Sequence, residues 1–455
     1  MASPGHIMAA QAPGNGEDSV KNGASRRTNF RWFVLFVVAL TYFLGGADRA
    51  NLAVAIPYIK ADFHLSNTAV GTAAAVFFIG VTIILIPAGF LFQKFGVRMI
   101  IAFAVLLTSL ATFLSGMTNS AIQLLIARFL LGLAEGPLPI GGLTMLNRWF
   151  PARERATAVG IFYAAFKLAP ALVPPIAAAI IYSFGWRMVF VAFAVPGIFV
   201  AGIWMLLSDY PRLSRRSNDA EVNYINENTA SIPTAKQQGA RSFPILDKLI
   251  RARTIEPLRS SRQVFLSANL WGCAIAYGMM TGLTYAIMTW VPTYLIEVKK
   301  YSILQMGIVA SAPWIGAVIG SILGGILSDR VFGERRKPVM LIAAGATIFT
   351  MYALVLAPNN PIALAAMLVV TGVLLYIGYS TFVVYPMGLV SPEKVPLAIA
   401  IISTLGALGG GLSPLVVGII LDHSSWSVAF AFLSFCSIAA FILTLLIVEP
   451  RRLNH

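Results

Sequence analysis

Residues 31–58 read RWFVLFVVALTYFLGGADRANLAVAIPY. A membrane-spanning helix needs about 20 consecutive apolar residues, and this stretch is long enough to provide them. Asp48 and Arg49 nevertheless lie within it, and apolar residues continue beyond them to Ile56. A charge at bilayer depth costs roughly 2.5–3.5 kcal/mol on insertion scales, so it persists where it is paired or faces water. A helix-end pair at the interface is the alternative, but the apolar turns after Arg49 favour a helix that lines a polar cavity.

The composition places the whole chain in the membrane. Its 455 residues are 58% hydrophobic and 11% charged, whereas a soluble domain carries about 25% charged residues. Cys273 and Cys436 lie in apolar segments and the four histidines are scattered, so we predict no disulfide, metal site or cofactor. A GxxxxGK[ST] nucleotide-binding loop is absent from the sequence, which argues against primary pumping by this chain. We do not expect an enzyme.

Apolar runs predict twelve crossings in two groups of six. They lie at 32–57, 67–92, 99–118, 121–147, 155–183, 187–208, 263–296, 303–328, 338–357, 361–390, 396–421 and 426–448. We therefore expect an all-α membrane protein with a disordered cytoplasmic N-tail, a six-helix bundle, a cytoplasmic linker, a second six-helix bundle and a cytoplasmic C-tail, at 1–30, 31–208, 209–262, 263–450 and 451–455.

The formal net charge of +15 reflects orientation in the membrane. Sixteen Lys and Arg residues lie in the tails and in the loops on their side, and the linker adds ten more. Four lie on the opposite side: Lys60, Arg187, Lys299 and Lys300. The positive-inside rule therefore places both termini in the cytoplasm, and we expect a multi-pass protein of the inner (plasma) membrane that does not bind nucleic acid.

The two groups of crossings share a motif, which indicates an internal repeat. A small residue, a leucine and a basic turn follow the second crossing and again the eighth. Parallel six-helix repeats are one of the known transporter architectures. The positions that we assign to this gating motif are Gly89, Gln93, Lys94, Gly96 and Arg98 in the first half and Gly325, Asp329 and Arg330 in the second.

These residues resemble the GxLxDRxGxR signature of the major facilitator superfamily. The segments NRWFPARERATAVG (147–160), TWVPTYL (289–295) and GGGLSPLVVG (409–418) are similar to its anion:cation symporter branch, which includes proton-coupled sugar-acid and aromatic-acid permeases and sialin-like carriers. The resemblance implies two pseudo-symmetric six-helix halves that alternate access to a central site. Gln93 departs from the signature aspartate, a charged latch of the cytoplasmic gate, so the outward-open state should be held less strongly.

Five charged residues lie inside the predicted crossings. Arg128 and Glu135 are seven residues apart, about two helical turns, and should share one face. They form either a structural ion-pair ladder or a binding face. A carboxylic acid in low dielectric can exchange a proton near neutral pH. The resemblance implies that the acidic residues of helices 1 and 4, Asp48 and Glu135, carry the protons.

Asp48 and Arg49 are neighbours and must point about 100° apart. The resemblance implies that Arg49 faces the substrate, and we expect Asp48 to turn toward helix 4. Lys167 lies mid-helix and is either a second cation for the substrate or a stem packed on apolar surface. Three cations and two carboxylates leave one net positive charge, which would attract an anion.

Aromatic residues on the cavity helices are candidate ligands or packing residues. We assign substrate binding to a set of cations, tyrosines and one serine, namely Arg49, Arg128, Lys167, Tyr42, Tyr163, Tyr285, Tyr379 and Ser403. Apolar residues occupy positions where sugar-acid relatives tend to be polar, namely Val81, Leu85, Phe166 and Ala407. This wall would satisfy few hydroxyls and favours a less hydroxylated or aromatic carboxylate.

The sequence therefore predicts a monomeric secondary transporter that imports a small organic anion, either a sugar acid or an aromatic acid, together with protons. An anion exchanger without net proton coupling is the alternative. Two cavity arginines in different halves would favour the exchanger, but the second half has no arginine inside a predicted crossing. A membrane sensor would need a signalling domain, for which 209–262 is too short and too polar.

Overall fold

A computed structural model describes residues 27–227 and 244–451. Within these ranges twelve helices are long and apolar enough to cross a membrane, which confirms the predicted fold class. The predicted tails at 1–26 and 452–455 lie outside the described residues. Helices 1–12 span Phe30–Phe63, Asn67–Phe95, Val97–Gly116, Ala121–Trp149, Ala152–Phe184, Trp186–Leu206, Ala268–Glu297, Ile303–Val331, Lys337–Leu356, Pro361–Gly388, Pro392–His423 and Trp426–Leu446.

The two helix boundaries that differ most from the prediction do so for local reasons. Helix 1 continues past its apolar run to Phe63 and ends where His64 adopts a left-handed backbone conformation. Helix 7 begins at Ala268 rather than at residue 263, because the Ser267 hydroxyl caps it by accepting the backbone N–H of Leu270. The residues before this cap form a separate short helix, Ser261–Leu266.

Helix packing repeats between the halves. In the first half helix 1 packs on 5, helix 2 on 4 and helix 3 on 6. The second half pairs helix 7 with 11, helix 8 with 10 and helix 9 with 12, which is the same arrangement six helices later. Contacts between the halves join helix 2 to 11, helix 5 to 8 and helix 1 to 7. The repeat in sequence is therefore a repeat in packing.

In each half, the helix that follows the gating motif has its N-terminus capped by a carboxylate. Gly96 has a φ of 80°, and Asp209 beyond helix 6 accepts the backbone N–H of Arg98 at 2.8 Å, where helix 3 begins. In the second half Glu449 accepts the backbone N–H groups of Arg336 and Lys337, where helix 9 begins. A carboxylate at a helix N-terminus compensates the unpaired N–H groups and the helix dipole.

Other positions of the motif are exposed. Gln93, Lys94, Asp329 and Arg330 face outward, and Asp329 pairs with Arg336. A side chain at Gly89 or Gly325 would meet open space.

The described parts of the linker dock on the nearest half. Arg31, at the start of helix 1, forms ion pairs with Glu154 at 2.9 Å and with the linker residue Glu221 at 3.2 Å. Asp247, in the linker helix Pro244–Leu249, pairs with Arg335 of the second half. A short strand, Ala252–Thr254, pairs in parallel with Glu449–Arg451. The start of helix 1, the described parts of the linker and the strand Glu449–Arg451 therefore share one face of the molecule, called here the terminal side.

The opposite face, called here the far side, is closed by contacts between the halves. Asp422 of helix 11 accepts the backbone N–H groups of Asn67 and Thr68 at 2.8 and 2.7 Å, and Lys60 pairs with Glu297 at 2.7 Å. Toward the terminal side, a side chain at Gly89, Gly160 or Gly325 would contact nothing within 4 Å. A Cβ at Gly71, Gly307 or Gly418, nearer the far side of the same helix pairs, would instead lie within 3 Å of the other half. Helices 2 and 11 and helices 5 and 8 thus meet closely at the far side and have open space at the glycines toward the terminal side.

Candidate functional site

An ion pair between helices 1 and 4 lies at the centre of the first half. The Arg49 guanidinium approaches the Glu135 carboxylate at 2.9 Å, with the two side chains only 14% and 2% exposed. Arg49 also donates to the carbonyl of Gly45 at 2.9 Å. The absence of a side chain at Gly45 permits this approach, because a Cβ there would lie 3.3 Å from Glu135 Oε2. The predicted proton carrier, Glu135, and the predicted substrate ligand, Arg49, are therefore paired with each other.

Asp48 faces away from this pair. Its carboxylate accepts a hydrogen bond from the Thr112 hydroxyl of helix 3 at 2.8 Å and another from Asn51 at 3.3 Å. Its side-chain hydrogen bonds thus go to helix 3 and to its own helix, because helix 3 offers a buried hydroxyl. Helix 4 hydrogen-bonds only the backbone of Asp48, through Arg128 at 3.5 Å, but the charges of Arg128 and Glu135 lie within electrostatic range of the Asp48 carboxylate, as expected.

The arginines of the cluster stack on aromatic rings. Arg49 lies 4.8 Å from the ring centre of Phe77 and 5.0 Å from that of Phe166, and Arg128 lies 5.3 Å from Phe77. Cation–π contacts of this kind hold a guanidinium in place without neutralising its charge. Phe77 thus brings both arginines to the same wall.

Helix 4 is interrupted at the position where its carboxylate is needed. Its first segment ends at Glu135, and a second begins at Pro137, with Gly136 between them. Proline provides no backbone N–H to continue the ladder, which is the reason for the break. Glu135 therefore lies at a discontinuity in a helix, and such discontinuities are where transporters place ion and substrate sites.

Aromatic side chains form the remaining first-half wall. Tyr42 stacks on Phe162 at 4.2 Å and on Phe166 at 4.6 Å between ring centres. Tyr163 lies edge-on to Tyr42 at 6.0 Å and is 43% exposed. Phe166, noted in the sequence as an apolar position, is therefore the ring between Tyr42 and Arg49.

The second half contributes tyrosines to the same region. Tyr285 lies edge-on to Phe78 of helix 2 at 4.7 Å. Tyr379 bonds through its hydroxyl to Tyr277 at 3.3 Å and to Thr281 at 3.4 Å. Ser403 is exposed on helix 11, and no contact with the other candidates is found for it among the described residues.

Lys167 of helix 5 contacts residues of the second half. Its Nζ donates to the hydroxyl of Ser321 on helix 8 at 2.7 Å and lies 5.1 Å from the ring centre of Tyr376 and 5.9 Å from that of Tyr379. Asp48, Arg49, Arg128 and Glu135 thus form one cluster. The described contacts of Lys167 are instead with Ser321, Tyr376 and Tyr379 of the second half.

Several buried polar atoms of the cluster lack a protein partner in the described residues. They are Nε of Arg49 and of Arg128, Oε1 of Glu135, Oδ1 of Asn51 and Oγ1 of Thr108. An unpaired buried donor or acceptor costs about 1–3 kcal/mol, so such groups mark places that water or a ligand can satisfy. No group of three His, Cys, Asp or Glu that could hold a metal occurs in the described residues.

Sequence reasoning missed the uncharged partners in this site. Thr112, Asn51, Phe77 and Ser321 each contact a predicted charge. Asn51 could have been found, because it follows Asp48 by one helical turn. The other three are ordinary residues on apolar helices, and only helix packing distinguishes them.

Comparison with known proteins gives consistent relatives. A family model described as Major Facilitator Superfamily matches residues 38–331 and 300–455. The chain is 29% identical to a protein of Bacillus subtilis named probable galactarate/D-glucarate transporter, over 94% of each chain. It is 32% identical to an Escherichia coli protein of the same name over 68% of each chain. It is also 29% identical to a probable sulfoacetate transporter of Cupriavidus necator, over 71% of this chain and 70% of that one.

The fold also matches a solved structure. A bacterial homologue of the human lysosomal transporter Spinster, in an inward-facing and occupied conformation, superposes with a TM-score of 0.69 at 18% identity. The match covers 91% of this chain and 94% of the other. This similarity concerns the fold alone.

Proposed function

As the chain belongs to the Major Facilitator Superfamily, and as its relatives are named as probable transporters of galactarate, D-glucarate and sulfoacetate, we propose that it is a secondary transporter that imports a small organic anion together with protons. The substrate class that we propose is a sugar acid or a related small organic acid. The relatives named for galactarate and D-glucarate support this choice.

The Arg49–Glu135 ion pair carries the proposal. A buried arginine with a carboxylate partner at 2.9 Å is not free to bind a second carboxylate. A proton on Glu135 would neutralise that partner and release the guanidinium, whose planar fork fits a substrate carboxylate. Substrate and proton thus favour each other's binding, which is the thermodynamic basis of symport.

Charge balance supports the same coupling. One substrate carboxylate and one proton add no net charge to the buried cluster, whereas either alone would leave a charge unpaired at bilayer depth. Asp48 offers a second acidic group, hydrogen-bonded to Thr112 away from the Arg49–Glu135 pair. We assign the main coupling role to Glu135 because it alone competes directly for Arg49.

Alternating access would proceed by rocking the two halves about this site. The present state is closed at the far side by Asp422 and by the Lys60–Glu297 pair. With both termini in the cytoplasm, as the distribution of basic residues predicts, this state opens inward. Import then requires an outward-opening step in which these far-side contacts separate.

The apolar residues Val81, Leu85, Phe166 and Ala407 still predict a preference for less hydroxylated acids, and that preference stays a prediction. The exchanger alternative would be favoured by a cavity arginine in the second half, besides Arg49 and Arg128 of the first. Within the described residues of the second half, lysine and arginine lie only at the ends of the membrane helices or in loops.

Uptake of radiolabelled D-glucarate into proteoliposomes tests the proposal. An inward proton gradient should drive accumulation above equilibrium, and a protonophore should abolish the excess. Accumulation that is independent of the proton gradient but depends on an anion preloaded inside the vesicles would identify an exchanger. D-gluconate and benzoate in the same assay would separate sugar acids from aromatic acids.

A further inference from the structure

Lys167, like Arg128, is a membrane-depth cation with no carboxylate within ion-pair distance in the described residues. Arg49 is paired with Glu135, and Arg128 lies against the backbone of Asp48. Lys167 has a single hydrogen bond, to the Ser321 hydroxyl at 2.7 Å. An ammonium group has three N–H donors, so two remain available.

The partner of Lys167 belongs to the other half. Ser321 donates its own proton to the carbonyl of Ala317 at 2.8 Å and accepts from Lys167. The other hydrogen bonds that the structure gives between the two membrane halves, those of Lys60 and Asp422, lie at the far side. The Lys167–Ser321 bond therefore lies nearer the open terminal side than any of these.

Arg49 and Lys167 each contact aromatic rings, and neighbouring positions of helix 5 link them. The Arg49 guanidinium stacks on Phe166, the residue that precedes Lys167 in helix 5. Lys167 itself faces the rings of Tyr376 and Tyr379 of the second half. Both cations thus lie beside aromatic rings. They differ because Arg49 is paired with a carboxylate, whereas Lys167 is not.

We propose that Lys167 and Ser321 form a second anion subsite, so that the preferred substrate is a small dianion with an acidic group at each end. One end binds the free ammonium of Lys167, and the other takes Arg49 when Glu135 is protonated. This inference rests on the proposed function and adds to it the charge of the substrate. Since Ser321 comes from the second half, a substrate held there also joins the halves.

A structural role for Lys167, as a strut between helices 5 and 8, is the competing explanation. Lys60 provides a matched control, because it also bonds across the halves, at 2.7 Å to Glu297, but lies at the far side. The two roles differ in what removal of the charge should change. A strut supports folding or gating whichever acid is offered, whereas a subsite recognises only the second acidic group.

Calorimetry on the purified full chain tests this with D-glucarate and D-gluconate, a diacid and a monoacid of equal chain length. Wild type should bind the diacid about tenfold more tightly, the value of one charge-assisted hydrogen bond. Lys167→Gln should remove that preference and leave D-gluconate affinity within about twofold. Ser321→Ala should reduce the preference partly, and Lys60→Gln should keep it.

Equal wild-type affinity for the two acids would overturn the inference and leave the proposed function intact. So would a Lys167→Gln variant that loses affinity for both acids alike, or one that only melts at a lower temperature. Binding of neither acid by wild type would contradict the proposed sugar-acid function itself, and the dianion subsite with it.

Discussion

The two halves share one helix arrangement but differ in what they place at membrane depth. The first half holds five charged side chains: Asp48, Arg49, Arg128, Glu135 and Lys167. The second half, in its described residues, presents tyrosines and a serine to the same region. Packing is thus duplicated while chemistry is not.

This difference separates two tasks. Buried ion pairs such as Arg49–Glu135 respond to a proton or an anion, because removal of one partner leaves the other uncompensated. Aromatic rings and hydroxyls, by contrast, shape the cavity without changing charge. The first half should therefore set coupling, and the second half should set fit.

The largest effect is expected from Glu135→Gln. A permanently neutral partner leaves Arg49 free, so proton-driven accumulation should be abolished, while substrate exchange between equal concentrations continues. Uphill uptake and counterflow in proteoliposomes measure the two activities. Asp62→Asn is the control, because Asp62 pairs with Arg187 in an exposed position within the same half. Normal uphill uptake by Glu135→Gln would remove it as the coupling residue.

A smaller effect is expected from Arg49→Lys. The charge is kept, but the planar fork that contacts a carboxylate at two points is lost. Affinity should fall by about tenfold, as expected for loss of one charge-assisted hydrogen bond. Calorimetry measures this directly, and wild-type affinity in the variant would exclude Arg49 from the substrate site.

Asp422→Ala tests how the halves are held together at the far side. It removes the carboxylate that accepts two backbone N–H groups at the start of helix 2. Loss of a helix cap costs about 1 kcal/mol, which shifts the open–closed balance roughly fivefold toward far-side opening. Spin labels on Asn119 and Ser424 should report a larger long-distance population. Asp62→Ala, a far-side carboxylate paired within one half, should leave the distances unchanged.

The smallest effect is expected in the second half. Tyr379→Phe removes a hydroxyl bonded to Tyr277 and Thr281 but keeps the ring. Its hydrogen bonds are worth about 0.5–1.5 kcal/mol each, so the melting temperature should fall by a few degrees. Substrate affinity should stay within about twofold, with the exposed Tyr182→Phe as control. Loss of proton coupling in Tyr379→Phe would contradict the claim that coupling is set by the first half alone.

Much of this organisation could be predicted from sequence. Length and hydropathy specify the twelve helices, because a bilayer demands about 20 apolar residues per crossing. The same rule makes any charge inside a crossing conspicuous, so Asp48, Arg49, Arg128, Glu135 and Lys167 could be selected without a structure.

The partners of these residues could not be predicted. Helical spacing relates residues on one helix, whereas the Arg49–Glu135 and Asp48–Thr112 contacts depend on how different helices pack. The hydrogen bond from Thr112 of helix 3 to Asp48 was not predicted for this reason. Ser321 could not be recognised either, because a serine on an apolar helix carries no signal until a lysine from the other half reaches it.

The measurement closest to the central claim is proton entry on substrate addition. Proteoliposomes with an internal pH probe and no imposed gradient should acidify inside when D-glucarate is added to the wild type. The Glu135→Gln variant should exchange substrate without acidification, because Arg49 is then free to bind substrate without protonation of residue 135. Substrate entry into wild-type vesicles with no change in internal pH would contradict the account.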